Sequence, residues 1–263
     1  MPFTLSHAAA AVPLKRALPW TVLSALVIGS MTPDFPYFVG GGDLRWHTHT
    51  FLSVLTFSLP VGSAIYFAFR RWLRAAWIDL LPAAFAARIP RRGTQASLAA
   101  ICASVALGAF THVAWDSFTH EHQAGVNLVA PLNLVLFELL GFPVRGFNLL
   151  QHVSTAVGAL LLAWWLRGWL ARTPRGELPP TWMRAATVRR LAPLVAFGGI
   201  GPLATIAAAI VAPPSARLVD IRAFIGAAVV VAMSAALALL AAYTVWWWNA
   251  PSPRSGVRNA VAE

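Results

Sequence analysis

Charged residues and cysteine are both scarce in this sequence. Only 11% of the 263 residues are charged and 58% are apolar, whereas soluble domains have about 25% charged and about 45–50% apolar residues. This excludes an ordinary soluble domain, and it also excludes intrinsic disorder, which requires low hydrophobicity. Cys102 is the single cysteine, so no disulfide within the chain can form.

Acidic residues and lysine are also few. The chain has 20 Lys+Arg against 9 Asp+Glu, a formal net charge of +11, and Lys15 is its one lysine. The arginines lie in short clusters between apolar stretches, which is typical of membrane topology determinants and not of a groove-binding surface. We therefore expect a lipid bilayer, and no nucleic acid, as a partner. The oligomeric state is left open.

The apolar stretches predict an all-α polytopic integral membrane protein with five to seven membrane segments. Two stretches, Ala17–Met31 and Leu128–Phe142, are short enough to be re-entrant, interfacial or buried instead. Five others are close to the length that a membrane-spanning helix needs: Phe51–Phe69, Ser97–Phe118, Asn148–Leu166, Leu191–Ala212 and Ala223–Trp248.

The arginine distribution predicts the orientation of these segments. The connections 70–96 and 167–190 each hold six arginines, whereas 119–147 holds one. By the positive-inside rule the first two are cytoplasmic, and 32–50, 119–147 and 213–222 face the other side.

All seven histidines lie at or before residue 152. We therefore divide the chain into a polar-site membrane region (1–172), a Pro/Arg-rich cytoplasmic linker (173–190) and a two-span C-terminal region with a short tail (191–263).

One polar stripe has the spacing of a metal site. His112, Asp116 and His120 are four residues apart, so they lie on one face of a helix. Neutral imidazole nitrogens and carboxylate oxygens together suit a divalent cation such as zinc. A carboxylate near the end of an apolar segment is costly unless it is paired or functional.

Other polar residues are predicted to lie at the same membrane face. Asp34 and His49 precede the segment Phe51–Phe69, and Gln151-His152 begin a later segment. His7 joins them if Ala17–Met31 is re-entrant, and lies on the opposite side if that stretch crosses the membrane. Asp34 could also mark only a turn, and His47 and His122 could be interfacial anchors.

These residues resemble a known family. Leu5-Ser6-His7, Gly29 to Asp34, Thr48-His49-Thr50 and Gly108 to His112 with Asp116 are similar to the pattern of bacterial membrane-bound metal-dependent hydrolases. Three further segments resemble, more closely, a bacterial membrane family catalogued only as a domain of unknown function: Met1 to His7, Trp115 to His122 and Gln151-His152.

The resemblance implies a bacterial membrane protein that holds a divalent metal. Together with the arginine distribution, it predicts a multi-pass protein of the cytoplasmic (inner) membrane with this site at the non-cytoplasmic face. The implied ligands are His7, Asp34, His49, His112 and Asp116. The chain departs from the hydrolases where they usually carry further ligands, because Pro36-Tyr37 and Leu44-Arg45-Trp46 stand there. Either His47, His120 and His122 substitute for those ligands, or the site no longer binds metal.

The leading hypothesis is a metal-dependent hydrolase that acts on a lipid or lipid-linked phosphoester. Glu121 or His120 is the candidate general base. Three alternatives remain: a transporter or proton relay through His112, Asp116 and His152, a haem protein with His112 and His152 as axial ligands, and a non-catalytic membrane scaffold.

Overall fold

The protein is mainly helical, with one small β-hairpin. A computed structural model describes residues 4–41, 44–90, 93, 95–211 and 218–250. Some predictions therefore fall outside the described residues: the start of the Met1–His7 motif, the arginines at 91, 92 and 217, the last residue of the predicted segment Leu191–Ala212, and the tail from 251 onward.

The helices are α1 (Thr4–His7), α2 (Ala11–Ala17), α3 (Leu23–Met31), α4 (Arg45–Thr48), α5 (Leu59–Ala68), α6 (Arg74–Leu80), α7 (Ala83–Ala86), α8 (Leu98–Thr119), α9 (Ala124–Leu128), α10 (Gly146–Arg172), α11 (Ala186–Val195), α12 (Gly201–Val211) and α13 (Leu218–Asn249). Short 3-10 turns occupy Ala8–Ala10, Thr32–Val39, Ala130–Asn133 and Trp182–Ala185. π-Helical turns occupy Val54–Ser58, Phe69–Leu73 and Ala196–Ile200. The strands are β1 (Val135–Leu139) and β2 (Phe142–Arg145), which pair antiparallel.

Four described helices are long and apolar enough to cross a membrane, fewer than the five to seven segments predicted. They are Leu98–Thr119, Gly146–Arg172, Trp182–Ile210 and Ile221–Asn249. The prediction of a mainly helical protein with membrane-spanning helices is thus confirmed, and its count of segments is corrected.

Leu128–Phe142 is not a membrane helix. Pro131 lies in a 3-10 turn, and β1 and β2 follow it as a hairpin. Leu140 and Gly141 have φ values of 49° and 74°, the left-handed conformation that a tight hairpin turn requires. The apolar composition of the stretch therefore reflects an exposed hairpin rather than a span.

The predicted segment Phe51–Phe69 is part of a longer helical run, from Val54 to Leu80, that is not among the four. Arg70, Arg71 and Arg74 follow the predicted segment directly and lie within the same helical run. Val54 packs against Ala109 and Val113, whereas Asp79, near the end of the run, contacts Thr181.

The N-terminal residues 4–41 form a half-length helical hairpin. Helices α1 and α2 lead away from Asp34, and α3 returns to it, because Thr4 Oγ1 donates to Asp34 Oδ2 at 2.7 Å. With nine residues, α3 is about 14 Å long at 1.5 Å per residue, which is half of the ~30 Å hydrocarbon core. Ala17–Met31 therefore does not cross the molecule, and His7 lies at the same end as Asp34.

Hydrogen bonds with α8 satisfy both ends of the short helix α3. Val22 N–H, which precedes α3, donates to Ser104 Oγ at 2.9 Å, and Ser30 O near its end accepts from His112 Nδ1 at 2.7 Å. The two helices approach closely at Gly29 and Gly108, where an added Cβ would lie 2.2 Å from a backbone oxygen of the other helix. Buried helix ends need such partners. Residues of α8 therefore supply the hydrogen bonds that the two ends of α3 would otherwise lack.

The two arginine-rich connections contact each other at the end of the molecule away from Asp34. Gly176 N–H donates to Ala87 O at 2.7 Å, and Arg88 Nε donates to Thr173 O at 2.8 Å. Connections 70–96 and 167–190 therefore lie on one side, as the arginine distribution requires. Which side of the bilayer this is stays a prediction.

The last helix, α13, joins both ends of the molecule. Trp77 Nε1 donates to Thr244 Oγ1 at 3.1 Å and Trp247 Nε1 to Asp79 Oδ2 at 2.9 Å. At the opposite end, the Arg222 guanidinium lies 4.6 Å from the Phe142 ring centroid. The three-part division of the chain (1–172, 173–190, 191–263) stays a prediction.

Candidate metal centre

Six imidazole and carboxylate side chains converge at the end of α8. Each is less than a tenth exposed. We name them together the His/Asp cluster: His7, Asp34, His49, His112, Asp116 and His120.

Five chain segments supply the cluster. His7 ends α1, Asp34 lies in the 3-10 turn that directly follows α3, and His49 follows α4. His112 and Asp116 are one turn apart on α8, with Nε2 and Oδ2 separated by 3.5 Å. His120 is the residue after α8, where the backbone becomes extended, and its Nδ1 remains 3.5 Å from Asp116 Oδ2.

The loop that carries His49 is fixed by local hydrogen bonds. Ser53 Oγ donates to Thr48 O at 2.7 Å, and Ser53 N–H donates to Thr50 Oγ1 at 3.1 Å. This Ser/Thr turn closes the segment between α4 and the following helix. The imidazole is thereby held over α8 while its neighbour Thr50 stays exposed.

The distances inside the cluster match a metal-ligand set. His49 Nε2 lies 3.2 Å from Asp34 Oδ1 and 3.7 Å from Asp116 Oδ2, and His112 Nε2 lies 3.7 and 3.5 Å from the same two atoms. Ligands about 2.0–2.2 Å from a tetrahedral ion are about 3.3–3.6 Å apart. Two overlapping triads suitable for a metal are His7, His112, Asp116 and Asp34, His49, His112.

Several of these atoms have no hydrogen bond in the described part of the chain. His7 Nε2, His112 Nε2 and both carboxylate oxygens of Asp116 are buried without one, although His7 Nε2 is only 3.4 Å from Asp116 Oδ1. Buried polar atoms without partners are rare and call for an explanation such as an ion. Their convergence on one point is what a metal ion would satisfy.

A second set of contacts orients the ligands. His112 Nδ1 donates to Ser30 O, so Nε2 carries the lone pair when the imidazole is neutral, as a metal ligand must be. Thr48 Oγ1 lies 3.0 Å from His49 Nδ1, and Thr4 Oγ1 donates to Asp34 Oδ2. Such outer contacts fix the tautomer and direction of metal ligands, and here each leaves the inner atom facing the centre of the cluster.

Charge and protonation favour a cation at this position. Burial, and next the neighbouring His112, lower the pKa of His7 to about 4, so its imidazole is neutral near pH 7. Burial alone would raise the pKa of Asp34, but His112 and the hydrogen bond from His49 outweigh it and the pKa is lowered. The ion-pair partners of Asp34 and Asp116 among the described residues are histidines. A divalent cation would compensate the two carboxylates.

The structure brings together all five residues predicted as metal ligands: His7, Asp34, His49, His112 and Asp116. Metal ligation by them stays a prediction.

The remaining candidates divide between the cluster and the surface. His120 lies in the cluster, but Glu121 is exposed, and no hydrogen bond or ion pair among the described residues links it to the cluster. His47, His122 and His152 are exposed as well. Of the three substitutes considered for the missing ligands, only His120 is therefore in place.

Thr4 and Ser30 are site residues that the sequence analysis did not find. Thr4 precedes His7 by one helical turn, a spacing that places both on one face, so its role could have been suspected. Ser30 contributes its backbone carbonyl, and a carbonyl carries no sequence signal.

Comparison with known proteins identifies the family. A family described as a domain of unknown function (DUF4184) matches residues 1–245, and the chain belongs to it. No curated protein and no solved structure matches the chain.

Proposed function

We propose that the protein is a metal-dependent hydrolase with its metal in the His/Asp cluster. The observation that carries this proposal is the convergence of buried ligand atoms without hydrogen bonds, namely His7 Nε2, His112 Nε2 and both oxygens of Asp116. Imidazole and carboxylate donors at these distances suit zinc or a similar ion. Asp34 and His49 complete a four-ligand set with His112 and Asp116.

When bound, the metal would lower the pKa of a water molecule and polarise a phosphoryl or acyl oxygen. The chain's residues have distinct tasks around it. His112 is held in one tautomer by Ser30 O, and Asp34 is held by Thr4 Oγ1. His120 Nδ1 lies 3.2 Å from Asp116 O, and we assign His120, rather than exposed Glu121, as the group that accepts the proton from the attacking water.

The location of the cluster supports a lipid or lipid-linked phosphoester as substrate. Asp116 lies in the last turn of a helix apolar enough to cross a membrane, so the cluster is near one face of the bilayer. The arginine-rich connections contact each other at the opposite end. By the positive-inside rule, the cluster then faces the non-cytoplasmic side of a bacterial inner membrane.

Elemental analysis of the detergent-purified protein tests the proposal. We expect about one zinc, manganese or iron ion per chain, the content of a loaded mononuclear site, and its loss in Asp116→Ala. His122→Ala is the matched control, because this neighbouring histidine is exposed. If the protein, purified without chelator, holds no metal, the proposal is wrong. A screen of phosphoester and lipid substrates follows a positive result.

A proton relay or transporter is the second candidate, favoured by the ionisable side chains His7, His112, Asp116 and His120 buried in contact with one another. It predicts no metal, and transport that is lost in Asp116→Asn.

The haem alternative requires His152 beside His112, but His152 is exposed. A haem protein would also be coloured on purification. A non-catalytic scaffold predicts neither metal nor transport.

A further inference from the structure

A groove lies between the N-terminal residues and the helices α8 and α10. Its volume is about 420 Å³, within the ~300–1,000 Å³ typical of ligand sites. We name it the lateral groove, and its walls include Ser6, His7, Phe110, Trp115, Val157 and Leu161.

The groove offers almost no free polar group to a ligand. Ser6 Oγ donates to Thr155 O, Thr111 Oγ1 donates to Gly108 O, and Ser154 Oγ donates to Gln151 O. The Trp115 indole N–H is also used, because it donates to Ser154 Oγ at 3.2 Å. With its hydroxyl and indole groups already bonded inside the protein, the groove is suited to hydrocarbon.

The groove opens toward the bilayer. Its walls on α8 and α10 belong to helices that are long and apolar enough to cross a membrane. Phe110, Val157 and Leu161 are 50%, 47% and 51% exposed. Apolar side chains exposed on such helices are suited to contact with lipid tails, so we expect acyl chains rather than water around the groove.

One wall residue connects the groove to the His/Asp cluster. His7 lines the groove, and its ring stacks on the His112 ring with centroids 3.8 Å apart. The buried Nε2 of His7 has no hydrogen bond within the described residues and lies 3.4 Å from Asp116 Oδ1. A molecule in the groove would therefore contact one member of the cluster, the imidazole ring of His7.

We propose that the lateral groove binds one acyl chain of a bilayer phospholipid, whose headgroup ester then lies at the His/Asp cluster. The substrate enters sideways from the bilayer and is selected by its chain. This inference rests on the proposed function for the role of the bound lipid, but lipid binding itself does not depend on a metal.

Photo-crosslinking tests the groove directly. The full chain is reconstituted in nanodiscs of phosphatidylethanolamine and phosphatidylglycerol with a trace of phosphatidylglycerol that carries a diazirine on one acyl chain. Adducts are mapped by mass spectrometry after illumination. Val157→Trp fills the groove from an exposed position, and Val153→Trp, one turn earlier on α10, is the matched control because Val153 is 48% exposed and lies outside the groove lining.

We expect adducts on the groove walls in the parent protein and in Val153→Trp, and about tenfold fewer in Val157→Trp, equivalent to about 1.4 kcal/mol in binding. Leu161→Trp, which fills the same groove from a second exposed position, should repeat the loss. Equal labelling of all variants, or labelling spread evenly over α10, would show annular lipid only and overturn the inference.

Metal content measured on the same samples separates the two proposals. Groove labelling without metal would contradict the hydrolase proposal and leave a phospholipid-binding groove. Metal without groove labelling would leave the metal centre and remove the acyl-chain site.

Discussion

Two buried carboxylates at opposite ends of the molecule have different surroundings. Asp79 is fully buried, and its Oδ2 accepts hydrogen bonds from Thr181 Oγ1 and Trp247 Nε1. Asp116 is 3% exposed, and neither of its side-chain oxygens accepts a hydrogen bond among the described residues.

The difference shows which buried acid has a structural role. Asp79 connects the helical run that starts at Val54 to the segment 173–190 and to α13, and it accepts hydrogen bonds from two neutral donors while the cationic Arg189 side chain lies beside it. Asp116 is surrounded by imidazoles whose Nε2 atoms, like its own oxygens, face a common centre. Burial alone therefore does not single out a candidate functional carboxylate, whereas burial with unfilled hydrogen-bonding capacity does.

The largest expected contrast between the two ends is the side of the membrane that each faces. With Cys102→Ser as background, Leu128→Cys reports on the cluster end and Glu177→Cys on the arginine-rich end, since both positions are exposed. Leu128→Cys should react with a membrane-impermeant maleimide in intact cells, and Glu177→Cys only after permeabilisation. The reverse pattern would place the cluster in the cytoplasm.

The second contrast compares the two acids for metal binding. We expect Asp116→Asn to weaken metal binding by more than about 100-fold, because a ligand is lost rather than an outer contact. Asp79→Asn should keep the metal content of the parent protein. Titration with a zinc-competing chromophore measures both. Equal loss in the two variants would mean that metal content follows folding and not the cluster.

A smaller effect is expected from an outer contact of the cluster. Thr4→Val removes the hydrogen bond from Oγ1 to Asp34 Oδ2, and we expect metal affinity to fall about 10–100-fold. Thr56→Val is the matched control, since Thr56 Oγ1 donates to Leu52 O of its own segment at an exposed position. Unchanged affinity in Thr4→Val would argue against Asp34 as a ligand.

The last contrast concerns stability at the arginine-rich end. Asp79→Ala leaves the Trp247 indole N–H and the Thr181 hydroxyl without their acceptor, at a cost of about 1–3 kcal/mol. A lower midpoint of thermal unfolding in detergent, with unchanged metal per folded chain, would confirm a structural role. A midpoint equal to that of the parent protein would contradict it.

Much of the candidate site could be predicted from spacing and charge. The four-residue interval between His112, Asp116 and His120 predicts that they lie on one face of a helix. The distribution of arginines predicts that Asp34 and His49 lie at the same membrane face as these three residues. Glu121 was harder to place, because α8 ends at Thr119 and the following backbone directs His120 and Glu121 differently.

The side on which His7 lies could not be decided from sequence. The length of Ala17–Met31 permits either a re-entrant or a spanning segment, and the decision depends on Ser104 and His112, which satisfy the two ends of α3. The conformation of Leu128–Phe142 could not be decided either. Its apolar residues left a re-entrant, interfacial or buried segment open, and the structure shows a 3-10 turn followed by a hairpin.

The dependence of α3 on α8 has a consequence for synthesis of the chain. Both hydrogen bonds that satisfy the ends of α3 join residues 82 positions apart. At about 5–20 residues per second, the partners follow about 4–16 seconds later. During that interval the two ends of α3 lack the hydrogen-bond partners that α8 supplies in the folded protein. The cluster can assemble only after α8, which carries His112 and Asp116, has been made and has packed beside α3.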